Sequence, residues 1–195
     1  MTTTARYGRF TSILLALSLI VLLVTTLVRE YEPSNTYSNI VEIVTTRAVD
    51  TLKANGKTDI KLFEVEFVLP DTIGFPVSDF STESIEATAE GISGSVGTYN
   101  TSVAKVKMAG DSISYTYYTN EWVTGDVDML SVYKDVLPVD IAYECLMKSN
   151  IVYPKTKFIV LRIPVGPHDV NPQYIFGHIN PVFVDAINCS VTDKL

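Results

Sequence analysis

The order of apolar and polar positions divides the chain into one uninterrupted apolar run and a series of shorter periodic segments. The run is "TSILLALSLIVLLVTTLV", Thr11 to Val28, without a charge, and its length suits a helix that crosses a bilayer. Beyond it, Tyr37, Ile40, Val41, Val44, Ala48, Val49 and Leu52 recur at spacings of three and four before Asn55-Gly56. That spacing predicts an amphipathic helix with a glycine C-cap. In "DIKLFEVEFVL", apolar residues nearly alternate with Lys61, Glu64 and Glu66. This reads as a half-buried strand, bulged where the phase changes at Leu62-Phe63 and ended by Pro70. The Ser-, Thr-, Gly- and acid-rich stretch from Asp71 to Gly97 is ambiguous: "STESIEATAEG" within it fits a short helix opening at Ser81, while its Thr and Gly content favours a strand or a loop equally.

Farther along, Val103, Val106 and Met108, then Ile113, Tyr115 and Tyr117, flank Ala109-Gly110-Asp111, the pattern of a hairpin with a short Gly-containing turn. A second helix is expected from about Asp135 or Pro138, with Leu137, Ile141, Ala142, Cys145 and Leu146 on its apolar face. "KTKFIVLRIPV" and "NPVFVDAINCSV" come next as strands, joined by a Pro- and Gly-rich connection. Helix-then-strand thus occurs twice. Sliding the first copy by 94 residues sets Ala48 on Ala142, Leu52 on Leu146, Lys61 on Lys155 and Pro70 on Pro164 without a gap. Such self-similarity raises the alternatives of a duplicated unit and of two unrelated helix-strand units that share a pattern.

Charge orients the apolar run. Arg6 and Arg9 precede it, whereas Arg29 is followed by Glu30 and Glu32, so the positive-inside rule places the N-terminus in the cytoplasm and the rest outside. A cleaved signal peptide is the competing reading. The run is longer than a usual signal-peptide core and "VTTLVRE" lacks an A-x-A site, so an uncleaved single-pass anchor is the expectation. All 22 acidic residues lie beyond the run, with all but two of the 15 basic ones. That balance argues against nucleic acid or an anionic lipid surface as a partner. Cys145 and Cys189 both fall in the exterior part, where a disulfide would persist; two buried thiols are the alternative. Asn100-Thr101-Ser102 and Asn188-Cys189-Ser190 are candidate glycosylation sequons.

The stretch "PVFVDAINCSV" ends in a form that resembles the last strand of PepSY-type domains, V-D-A-x-T-G-x-V. Val184, Asp185, Ala186 and Val191 match, while Asn188 stands in place of the Thr and Cys189 in place of the Gly. The resemblance covers about Asp135 to Val191. It implies a small extracytoplasmic module that binds or inhibits rather than catalyses. On this reading residues 1–10 are a cytoplasmic tail, 11–28 a transmembrane helix, 29–36 a linker, 37–130 a first α+β unit with a hairpin and 131–195 the PepSY-like unit. The expected fold class is α+β, with helices packed on antiparallel sheet after the membrane helix. Asp185 is expected to accept hydrogen bonds from the turn that follows it. A Cys145 to Cys189 bridge would staple the second helix to the last strand, replacing turn rigidity lost with the glycine.

Motifs for chemistry are sparse. His168 and His178 are ten residues apart with no Cys-x-x-Cys, which fits no zinc pattern. There is no G-x-S-x-G, P-loop, G-x-G-x-x-G or H-E-x-x-H, and a thiol nucleophile at Cys189 has no local support. No cofactor or metal is expected. Tyr115, Tyr117, Tyr118 and Trp122 form a candidate contact surface, with core packing in the strands as the competing role. The expectation is a membrane-anchored, non-catalytic module that binds a peptide, a protein or a peptidase outside the membrane, for instance along a strand edge. The alternative is a bitopic subunit of a cell-envelope assembly or surface filament.

Overall fold

In the computed structural model the described residues are 35–73, 80–94, 99–123, 128–152, 155–164 and 171–194. Helix α1 (Asn35–Ala54) precedes strands β1 (Asp59–Ile73), β2 (Ser84–Ser93), β3 (Asn100–Ala109) and β4 (Ser112–Thr119). Helix α2 (Val139–Lys148) precedes β5 (Thr156–Arg162), β6 (Gln173–Phe176), β7 (Val182–Asp185) and β8 (Val191–Thr192). The strands form one antiparallel sheet in the order β4-β3-β2-β1-β5-β6-β7-β8. Each run of four strands is a simple meander. The two meanders join at their first strands, β1 and β5, whose register centres on Glu66 opposite Val160.

Both helices pack on one face of this sheet. From α1, Val41, Val44, Ala48 and Leu52 are buried while Glu42, Thr46, Arg47 and Asp50 are exposed, so a single apolar stripe faces the strands. It meets Ile85, Ala87 and Ala89 of β2 and Ala104 and Val106 of β3. Those alanines leave room for the helix to come close. The helix ends in a Schellman arrangement, with Lys57 N–H donating to Leu52 O at 3.1 Å and Gly56 N–H to Lys53 O at 2.9 Å. Gly56 takes φ +75° there, a conformation glycine adopts with little steric cost. From α2, Ala142 and Leu146 join a core that also holds Val65, Phe67, Ile159, Leu161, Tyr174 and Val184.

Where β1 changes phase, Phe63 is the extra residue: Leu62 pairs with Ala89 and Glu64 with Thr88. Asp128 and Met129 fill in beside this bulge, Leu62 N–H donating to Asp128 Oδ1 at 3.0 Å and Met129 N–H to Leu62 O at 2.9 Å. Pro70 does not end β1, which runs to Ile73 with a break in its pairing to β5 between Val68 and Ile73.

The expected architecture is therefore corrected. In place of a membrane helix followed by an α+β region of helices on one antiparallel sheet or two, the described residues form mostly one eight-stranded antiparallel sheet with only two helices. Pairing of β1 with β5 is what fuses the halves. No helix among the described residues is long and apolar enough to cross a membrane; α1 is long, but its outer face is polar. Thr11 to Val28, on which the transmembrane, single-pass reading rested, lie outside the described residues.

Candidate functional site

Both helices lie on one face and leave the other face and the two edges of the sheet without a helix among the described residues. The edges differ. β8 has two residues, whereas β4 has eight, "SISYTYYT", with no charge and no proline. Edge strands are usually shielded by charges, proline, bulges or covering elements, because their free N–H and C=O groups invite another strand. Six of the eight β4 side chains are exposed.

Strand parity separates the four aromatic residues singled out in the sequence. Tyr115 lies opposite Val106 and Tyr117 opposite Ala104, on the helix face of the sheet; Tyr117 packs against the core while Tyr115 is 51% exposed. Tyr118 lies opposite Val103 on the other face and is 41% exposed. At Asn120 the backbone turns left-handed, φ 59°, a conformation asparagine tolerates. Residues 120–123 then cross the helix-free face, where Val123 N–H donates to Glu90 Oε1 at 3.3 Å. This brings Trp122, 68% exposed, beside Tyr118.

Between that return and the sheet lies an open cleft of about 420 Å³. Glu64, Thr88, Val103 and Lys105 contribute from the strands, and Phe63, Tyr118, Glu121 and Trp122 wall it. Burial pushes the Glu64 carboxyl up; Arg162 and Lys105 oppose this, and Glu66 and Glu86 add to it. Arg162 Nη1 stands 4.0 Å from the Glu64 carboxylate, while Lys105 is drawn to Glu86, at 3.4 Å. A smaller cleft of about 220 Å³ lies between the start of α1 and residues 133–139. Tyr37, Tyr133 and Tyr174 line it, and the Lys134–Glu42 ion pair, 2.6 Å, borders it. The Tyr174 hydroxyl donates to Leu137 O at 2.6 Å.

The remaining sequence candidates are dispersed. Cys145 and Cys189 form a disulfide, so the buried face of α2 is tied to the turn after β7. Asp185 organises that turn: its Oδ1 accepts from Ile187 N–H at 2.8 Å and Asn188 N–H at 3.0 Å, and its Oδ2 from Asn171 Nδ2 at 3.0 Å. Burial opposes ionisation of this carboxyl, but the donors Ile187, Asn171, Asn188 and Gln173 outweigh it and hold its pKa below the ordinary aspartate value. Cys189 has φ 68°, a left-handed conformation although the residue is not glycine. Asn188 is exposed with its Oδ1 accepting from Ser190 N–H at 2.9 Å. Asn100 is exposed at the start of β3, its Oδ1 accepting from Lys57 Nζ at 2.7 Å. His178 packs on the Phe158 ring, whereas His168 and Asp169 lie outside the described residues. Among the described residues no group of three or more His, Cys, Asp or Glu is placed to hold a metal ion.

Neither Glu64 nor the cleft is foreshadowed in the sequence. Glu64 stands there only as the polar side of a strand, and nothing local signals that residues 120–123 fold back over it. Comparison with known proteins returns no family model, no curated protein and no solved structure that matches this chain.

Proposed function

We propose that this protein is a non-catalytic binding module that receives an extended polypeptide segment of a partner as an additional strand along β4. The observation that carries this reading is the eight-residue edge itself, uncharged and proline-free, with Tyr115 and Tyr118 exposed on its opposite faces. Main-chain pairing supplies affinity in such a mode, and side chains flanking the edge supply selectivity. Large aromatic side chains are favoured contact residues because they bury much area at little entropic cost. The resemblance of Asp135 to Val191 to PepSY-type binding domains points the same way. So does the disulfide, which takes up the Cys189 thiol and which suits an oxidising compartment outside the cytoplasm.

Hydrogen exchange tests the proposal. The oxidised chain is incubated with soluble, capped, eight-residue Thr/Val peptides, and amide exchange is followed by mass spectrometry. Slowed exchange confined to Ser112–Thr119, and lost in Thr116→Lys, is the expected outcome. Protection elsewhere with β4 unchanged refutes it. Concentration-dependent self-association that protects β4 without peptide would make the occupant a second copy, the route to an assembly subunit.

A further inference from the structure

The cleft beside β4 has a chemistry of its own, and its assignment rests on β4 being the docking edge. We propose that the cleft receives one basic side chain, a guanidinium or ammonium, carried by the docked strand. Three observations converge on it. First, position: a strand added to β4 would place every second side chain on the face of Tyr118, with one of them about 5 Å from Tyr118 across the new pairing. A long unbranched side chain there would run over the Tyr118 ring toward Trp122, its stem on apolar surface and its charged end forward.

Second, the walls attract cations. Tyr118 and Trp122 present π-systems, whose faces bind ammonium and guanidinium groups, and Glu121 and Glu64 add carboxylates to the same cleft. Third, the charges already present leave room for another cation. Lys105 is engaged by Glu86 at 3.4 Å, whereas Glu64 has Arg162 only at 4.0 Å and is partly stripped of water, which raises its pKa. A cation entering the cleft would relieve that cost. The chain's formal net charge of −7 favours approach of a basic partner at longer range.

The protein carries its own reporter, since Trp122 is its only tryptophan. Two eight-residue strand-forming peptides with Arg at adjacent positions, so that one presents it to the Tyr118 face in any register, are each compared with a twin carrying neutral citrulline. One Arg peptide is expected to bind about tenfold tighter than its twin, to shift Trp122 emission to the blue and to shield it from acrylamide. In Trp122→Ala and in Glu64→Gln the preference for Arg over citrulline should fall to near unity. Equal affinities and an unmoved Trp122, with β4 amides still protected, would overturn the cleft assignment and leave the docking edge standing. An Arg preference that survives both substitutions would place the cation elsewhere and overturn it too. Absence of β4 protection by all four peptides would overturn the docking edge and this inference together.

Discussion

Removing the Cys145–Cys189 bridge tests the account of the C-terminal turn most directly. The cysteines are 44 residues apart, and a link closing a loop of that length stabilises by about 4 kcal/mol in the loop-closure account. Against that gain stands Cys189 at φ 68°, a conformation that costs an L-residue roughly 1–2 kcal/mol relative to ordinary backbone regions. The two effects separate if two bridge-free variants are compared. Cys145→Ala with Cys189→Ala loses the link and keeps the strain. Cys145→Ala with Cys189→Gly loses the link and relieves the strain, recovering about 0.5–1 kcal/mol after the extra unfolded-state freedom of glycine is counted. Urea unfolding of both variants and the parent, followed by far-UV circular dichroism, measures each free energy. The m-value should rise without the link, because the unfolded chain exposes more surface. A double-alanine variant within about 1 kcal/mol of the parent would refute the view that the bridge fixes the turn against α2, and a glycine variant less stable than the alanine one would refute the left-handed conformation.

Asp185→Ala should cost about 1–3 kcal/mol, because the Ile187, Asn188 and Asn171 donors lose their acceptor. Since the folded-state pKa of Asp185 is depressed, its contribution is full above the ordinary aspartate value and is lost as pH falls through the lower folded value. Urea midpoints between about pH 2 and 5 should therefore fall less steeply in the variant. Glu64 has the opposite sign: burial raises its pKa, so its unfavourable share appears as pH rises from the ordinary glutamate value through the raised one. Glu64→Gln should unfold at higher urea than the parent at pH 7 and show a flatter pH profile above about pH 4.5; a less stable variant at pH 7 would contradict this. Gly91→Ala would set a methyl 2.7 Å from Lys57 Cβ and 3.0 Å from Leu52 Cδ2. Lys57 cannot swing away freely, because its Nζ is held by Asn100 O at 2.9 Å and Asn100 Oδ1 at 2.7 Å. A loss of about 1–3 kcal/mol in thermal or urea unfolding is expected.

How far the sequence reveals this fold depends on the range of the physics involved. The faces of α1, β1 and β5 are legible because burial repeats every 3.6 or 2 residues along each segment itself. By contrast, α2 buries Val139 and Tyr143, while Leu137 just before it and Ile141 are only partly buried; β3 buries Ser102, Val103 and Ala104 in succession, and Tyr115 of β4 is exposed. β2 is ambiguous because its buried positions include Ala87 and Ala89. Alanine fits a helix as well as a strand, and it stands there to let α1 approach. β6 escapes notice because its four residues sit between Pro172 and Gly177, inside what reads as an irregular connection. Pairing of β1 with β5 leaves no local trace, since periodicity says which side chains are buried and not which strand lies alongside. The aromatic cluster can be located but not resolved: parity splits Tyr117 from Tyr118, yet no local pattern announces that Asn120 sends Trp122 back over Glu64.

The single sheet has a consequence for where binding can occur. Glu66 and Val160, which mark the centre of the β1–β5 pairing, stand at the same 94-residue offset that sets Ala48 on Ala142 and Leu52 on Leu146, all four of these last residues fully buried. Joining the halves at β1 and β5 satisfies the strands that would otherwise be their first edges and leaves their fourth strands, β4 and β8, outermost. Equivalent halves would then expose equivalent edges, but these do not. The second half ends in a two-residue β8 next to a turn held by Asp185 and the disulfide, a short edge of the kind that discourages pairing. The first half ends in the eight-residue, uncharged β4, and beside it the return segment builds a cleft on the helix-free face. The asymmetry between the two ends, together with the exposure of Tyr115 and Tyr118, is what favours β4 over β8 as the proposed docking edge.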